Sequence, residues 1–205
     1  LIDTEEKRTK IIQKLLTSKI LSLDTETTGT EPMDAELVGM SFSIAENEAF
    51  YVPVPADQEE ALKIVNEFRP VFENENSLKV GQNIKYDMIV LQNYGVQVKG
   101  PLFDTMIAHY VLQPELRHGM DYLAEIYLRY QTIHIDELIG PKGKNQKNMR
   151  DLAPKDVYRY ACEDADVTLK LKNVLEKELK ENDAERLFYD IEMPLVPVLV
   201  NIERN

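Results

Sequence analysis

A single cysteine, Cys162, in 205 residues excludes an internal disulfide and any multi-cysteine zinc site. The expected compartment is a reducing cytoplasm. No apolar run reaches the ~18 residues of a membrane helix, and the opening stretch "LIDTEEKRTK" lacks a signal-peptide pattern. Basic residues are scarce. With 24 Lys and Arg against 36 Asp and Glu the net charge is −12, which argues against broad non-specific attraction to nucleic acid. An acidic chain can still take a polyanion if divalent cations bridge the two, or if a local basic patch makes the contact. One patch without acids exists, "GPKGKNQKNMR" from Gly140 to Arg150, and by itself it reads as a mobile, solvated loop. The histidines, His109, His118 and His134, show no ligand spacing and read as structural or surface residues. There is no Ser-His-Asp pattern, no glycine-rich phosphate loop, no repeat and no linker. The length suits one domain, with enough chain to bury a sizeable core.

What is present starts with "LSLDTETTGT", Leu21 to Thr30. An apolar, β-favouring run carries Asp24 and Glu26 at its end and then breaks at a Thr-Thr-Gly turn. Side chains alternate along a strand, so both carboxylates point to the same face. Side by side they repel, and each raises the other's pKa unless a cation or water intervenes. The pair is therefore either a solvated strand end or half of a metal site.

Around this strand, Ile20 to Glu26, the pattern predicts alternating elements. Asp3 and Glu6 resemble a capping box for a helix whose stripe is Ile11, Ile12, Leu15 and Leu16. "ELVGMSFSIA" and "EAFYVPVP" read as strands joined in a hairpin at Glu46-Asn47-Glu48. "DQEEALKIVNEFRPVFEN" is helical up to Pro70, where it kinks or stops. "SLKVG" is a short strand, and "NIKYDMIVLQNYG" a helix ended by Gly95. "FDTMIAHYVL", capped by Asp104, and "MDYLAEIYLRY" read as helices, and a long amphipathic helix runs from Pro154 to about Leu179. The expected fold is α/β with a mixed sheet.

In α/β sheets, sites gather at the carboxyl ends of strands. Two further acids could converge there: Asp87, near the start of a helix after "LKVG", and Asp164, inside the long helix. Tyr160 lies one turn before Asp164 on the same face. Three or four carboxylates suit magnesium or manganese, which prefer oxygen ligands. Two such ions, ~3.5–4 Å apart, can stabilise both the attacking and the leaving oxygen of a phosphodiester. A phenol such as Tyr160 can orient the attacking water. Taken singly, Asp87 could merely favour a helix N-terminus, the acids of "CEDAD" could be a solvated face, and Tyr160 could be core.

Taken together, "LDTETTG", "VGQNIKYD" and "YRYACEDADVTLKL" resemble the three motifs of the DEDD exonuclease superfamily, with Tyr160 marking the DEDDy branch. "LKVGQNIKYD", "FDTM", "PKGKNQ", "YACEDADVTL" and "IEMPLVPVLVNIERN" are similar to the proofreading domain of the bacterial DNA polymerase I family, the family A polymerases of Klenow type. The resemblance covers nearly the whole chain. It implies a ribonuclease H-like mixed β-sheet flanked by helices. It also implies a 3′→5′ exonuclease acting on single-stranded or frayed DNA, with two divalent ions, Mg²⁺ or Mn²⁺. By that resemblance Asp24, Glu26 and Asp164 hold one ion. Asp24 bridges to a second, which Asp87 reaches directly or through water, and Tyr160 orients the water. Gln82, Asn83 and Tyr86 fall where the family handles the 3′-terminal nucleotides, and Arg117 where it contacts phosphates. Thr30 stands near the family's apolar wedge position, and Ile135 aligns with an aromatic. Residues 1–190 are expected to be the exonuclease domain. Residues 191–205 are expected to start the helix leading into a polymerase domain absent from this chain. The expected protein is a monomer with no membrane partner. The rival readings are an RNA-trimming enzyme of ribonuclease D type and a non-catalytic module that positions DNA.

Overall fold

The computed structural model describes residues 1–204. Helix α1 (Glu5–Leu16) leads into β1 (Ile20–Thr27), β2 (Leu37–Ala45) and β3 (Glu48–Pro53). Then come α2 (Gln58–Glu67), α3 (Arg69–Phe72), β4 (Leu78–Gly81), α4 (Ile84–Asn93), β5 (Leu102–Asp104) and α5 (Thr105–Leu112). The second half holds α6 (Met120–Leu123), α7 (Ile135–Ile139), α8 (Pro154–Glu181), α9 (Glu185–Leu187) and α10 (Met193–Arg204). The sheet order is β3-β2-β1-β4-β5. Strands β1, β2 and β3 pair antiparallel, while β4 pairs parallel to both β1 and β5. The expected mixed sheet is thus present, with the carboxylate strand β1 at its centre.

Local chemistry explains the boundaries and several departures from the sequence reading. The cap of α1 is Thr4, whose hydroxyl accepts from Lys7 N, whereas Asp3 pairs with Lys7 Nζ at 2.6 Å. Pro70 ends no helix outright: α2 stops at Glu67 and α3 restarts with the proline in its first turn, where the missing N–H costs nothing. "FDTMIAHYVL" is not one helix. Leu102–Asp104 forms a short edge strand, and Asp104 then caps α5 by accepting from Met106 N and Ile107 N. "MDYLAEIYLRY" gives only one turn of α-helix before widening into π-type turns over Ala124–Leu128, ended by Arg129 at φ 52°.

The largest correction is the lysine-rich stretch. Pro141 to Asn145 are exposed, but Met149 is buried. Arg150 donates to the carbonyls of Val54 (2.5 Å) and Leu37 (2.7 Å), and Asn148 Nδ2 donates to Thr28 O at 2.7 Å. The second half is a built wall of the fold, fastened to the turn that follows β1.

The main core lies between the sheet and α1, α2, α4 and the later helices, around Leu21, Leu23, Phe42, Phe72 and Phe103. A second cluster of Val38, Tyr51, Met149, Val157 and Ala161 seats the first turns of α8. Helix α8 packs across β1, β2 and β3, which carries residues more than 130 positions after β1 to its side. At Gly39, opposite Glu26 in the β1–β2 register, a Cβ would stand 2.3 Å from the Tyr51 ring. Only glycine lets that ring lie across the strand beside the acids.

Candidate active site

Strand β1 presents Asp24 and Glu26 on one face, as alternation requires, and the register slips between Glu26 and Thr27. Helix α8 brings Asp164 to the same place. Asp24, Glu26 and Asp164 each offer a carboxylate oxygen within 4.8 Å of the others. Asp87 comes from α4 and borders the same cleft. Its Oδ1 accepts from Thr25 N (3.0 Å) and Thr25 Oγ1 (2.6 Å). Thr25, between the two strand acids, was not singled out from sequence. Its role is visible only once α4 is packed against β1.

The electrostatics follow from crowding anions with little water. Burial pushes Asp24 up to about 7. Burial, then the charges of Asp24, Asp164 and Asp87, raise Glu26 well above the usual carboxylate range. Asp87 is raised by burial and by Asp24, against the lowering effect of its Thr25 hydrogen bonds. Asp164 is raised by burial and Asp24, while the Tyr160 hydroxyl, donating toward it, stabilises the ionised form. Tyr160 itself is pushed up by burial and by these anions, so it stays a phenol. Glu26 Oε1 is buried with no hydrogen-bond partner. An all-oxygen set with an orphaned carboxylate oxygen fits a hard divalent cation and leaves that cost uncompensated without one.

A cleft of about 700 Å³ opens over the acids, lined by Asp24 to Thr30, Gln82, Asn83, Tyr86, Asp87, Ile135, Ile139 and Gln146 to Met149. Asn83 sits at φ 62° at the head of α4. Two backbone N–H groups, of Asn83 (3.3 Å) and Ile84 (2.7 Å), donate to the buried Asp104 carboxylate and hold this turn. The Tyr86 hydroxyl is tied to Thr27 Oγ1 and Gly29 O, each at 2.5 Å. Gln82 lines the cleft, yet its carboxamide is engaged inward, accepting from Thr105 Oγ1 (2.5 Å) and donating to His118 O (2.7 Å). Arg117 does not line this cleft. It lies over the Tyr122 ring, 4.9 Å from the centroid, beside a separate hollow with Arg129 and His134. Thr30 and Ile135 both line the cleft, and neither is aromatic.

A mixed five-stranded sheet flanked by helices is the ribonuclease H-like fold, and solved structures share it. Among them are the Brucella melitensis NrnC with bound Mg²⁺, TM-score 0.72 at 20% identity, covering 92% of this chain and 86% of that one. The catalytic core of RRP6 from Trypanosoma brucei has TM-score 0.73 at 20% identity, covering 95% and 50%. Residues 1–180 match the 3′-5′ exonuclease family of the A-type DNA polymerases, and the chain belongs to that family. DNA polymerase I of Pseudomonas aeruginosa is 40% identical over 204 residues, covering 95% of this chain and 22% of that protein. DNA polymerase I of Borreliella burgdorferi is 34% identical over 207 residues, covering 100% and 22%. The chain thus spans about a fifth of the length of these relatives.

Proposed function

We propose that this 3′-5′ exonuclease domain removes nucleotides from the 3′ end of single-stranded or frayed DNA, as the proofreading part of a longer DNA polymerase. The observation that carries the reading is the convergence of Asp24, Glu26 and Asp164 within 4.8 Å, with Asp87 held at the same cleft through Thr25. Asp24, Glu26 and Asp164 would hold one divalent ion, and Asp24 with Asp87 a second, Mg²⁺ or Mn²⁺. Bound ions supply Lewis acidity to the phosphodiester and lower the pKa of the attacking water.

The remaining work belongs to the chain's own groups. Tyr160, kept protonated, offers its hydroxyl beside Asp164 to orient the water. Asn83 and Tyr86, at the head of α4, border the place where a 3′-terminal nucleotide enters, and Ile135 gives that entrance an apolar wall. Arg117 contacts a phosphate of the strand. With net charge −12, the grip on the polyanion comes from such local contacts and bound ions rather than from the whole field.

The polymerase domain of the same longer chain is the proposed partner. Ile191, Leu195, Val198 and Ile202 form an exposed apolar stripe along and just before α10, while Met193, Val196 and Val200 face the core. An exposed row of this kind suits burial against further protein. No helix among the described residues is long and apolar enough to cross a membrane.

The test is a 5′-labelled single strand incubated with Mg²⁺ or with chelator, in DNA and RNA versions. A ladder of 5′-labelled products shortened from the 3′ end, dependent on the ion and faster on DNA, is expected. Faster trimming of RNA would favour the ribonuclease D-type reading, and no trimming with ions bound would favour a non-catalytic module.

A further inference from the structure

Between α5 and α6 the segment Gln113 to Gly119 is neither helix nor strand, and Gln113 to Arg117 are exposed. A loop of this kind is ordinarily loose. This one is fastened at its far end through His118, from two sides. Its carbonyl accepts from Gln82 Nε2 at 2.7 Å. Its ring Nδ1 lies 2.7 Å from Nδ1 of His109, the rings crossing at 62°. The next residue back, Arg117, is the one stacked over Tyr122, whose ring also faces His109.

The chemistry of that contact is restrictive. Two imidazole nitrogens at hydrogen-bond distance need one N–H and one lone pair, so a single proton lies between the two Nδ1 atoms, one donating and the other accepting. His109 is wholly buried in α5, its Nε2 has no partner, and the rings of Tyr122 and Tyr127 close round it. A buried polar ring with an unpaired nitrogen is a poor choice for stability alone, since an apolar ring of that size would leave nothing unsatisfied. Its contribution is directional: it fixes the His118 ring, and through it the backbone that carries Arg117.

We propose that His109 and His118 are positioning residues for strand binding: a one-proton clamp, reinforced by Gln82, that holds Arg117 in place to meet a phosphate of the substrate strand. The proposal rests on the reading of Arg117 as a phosphate contact. A guanidinium on an untied loop would be ordered only on binding, at the expense of affinity. On the tied loop that ordering is already present. Gln82, whose carboxamide is spent on Thr105 and His118, then acts through Arg117 as well as from the cleft wall.

The experiment is steady-state cleavage of a 5′-labelled single-stranded DNA at saturating Mg²⁺ by His118→Ala, His118→Asn, Arg117→Ala and the double variant His118→Ala/Arg117→Ala. His118 is half-buried, so its truncation is compatible with folding, which thermal unfolding verifies. His118→Ala is expected to raise KM roughly 3- to 10-fold, the factor of one net hydrogen bond, with kcat within about twofold. Asn, which can place an amide group near the Nδ1 position, should recover most of the loss. In the Arg117→Ala background the His118 substitution should have no further effect. If Arg117→Ala raises KM but His118→Ala leaves it unchanged, or the two losses multiply independently, the clamp is overturned and the reading of Arg117 stands. If Arg117→Ala itself leaves KM unchanged, the phosphate contact is wrong and the clamp has no object. A loss confined to kcat would also overturn the proposal.

Discussion

Replacing Asp24 by Asn in the metal-free protein should both end catalysis and stabilise the fold. At pH 8 without ions, Asp24, Glu26 and Asp164 press their charges together and Asp87 adds a fourth. Burial moves Asp24 from 3.8 to about 7. A carboxyl whose folded pKa lies above its unfolded value favours folding while it is protonated. That stability is fully present below about pH 4 and lost as pH rises through 7. The shift is about three units, which at ~1.4 kcal/mol each sets a ceiling of about 4 kcal/mol on the cost of ionised Asp24 at pH 8. Asp24 keeps some exposure to solvent, which screens its charge, so about half the ceiling, roughly 2 kcal/mol, is the expected gain from the neutral isostere. For a chain of this size that is a rise in melting temperature of roughly 4–8 °C. Thermal unfolding of wild type and Asp24→Asn, in chelator and in saturating Mg²⁺ at pH 4 and pH 8, measures it. The gain should appear at pH 8 in chelator and shrink toward zero at pH 4. With Mg²⁺ at pH 8 the wild type should recover and the variant should respond little. A variant that is less stable than wild type at pH 8 in chelator, or equally stabilised at both pH values, would refute the account of Asp24 as a carboxylate made costly by burial. Near-native hydrolysis by the variant would refute the assignment of Asp24 to the ions.

Tyr160→Phe should keep ion binding and lose roughly 10²–10⁴-fold in kcat, because an orienting hydroxyl is removed and no ligand is; an unchanged single-turnover rate at saturating Mg²⁺ would make Tyr160 a packing residue. Thr25→Val removes the 2.6 Å hydroxyl bond that fixes Asp87 and should weaken Mn²⁺ binding about 10- to 100-fold by spin-resonance titration, with Thr25→Ser largely restoring it. The chain should hold single-stranded DNA weakly, with a shallow salt dependence of about −0.7 per phosphate contact, because few cations face the cleft. Fluorescence anisotropy across a salt series in Ca²⁺ checks this, and tight binding with a steep slope would contradict it.

The lysine-rich stretch and the edge strand show where local pattern ran out. Gly140 to Arg150 has the composition of a solvated loop, and its first half is one. Its second half is ordered because Arg150 and Asn148 reach carbonyls of β2, of the segment after β3 and of the turn after β1, partners roughly 100 residues away. Strand β5 has three residues, too few for any period to register, and exists only because β4 offers it a parallel edge.

What the sequence by itself determined is what depends on neighbours along the chain. The period-two alternation set Asp24 and Glu26 on one face, the four-residue spacing set Tyr160 beside Asp164, and Asp104 capped α5. The motif order carried the family. What only the tertiary structure decided is which groups meet from distant elements. The Thr25 hydroxyl holds Asp87, the Gln82 carboxamide turns inward to Thr105 and His118, and a buried histidine takes the Nδ1 of another. Hydrogen bonds of this kind are short-ranged and directional. They form only after hydrophobic packing of α4, α5 and α8 on the sheet has brought donor to acceptor, and nothing in the spacing of residues along the chain encodes that distance.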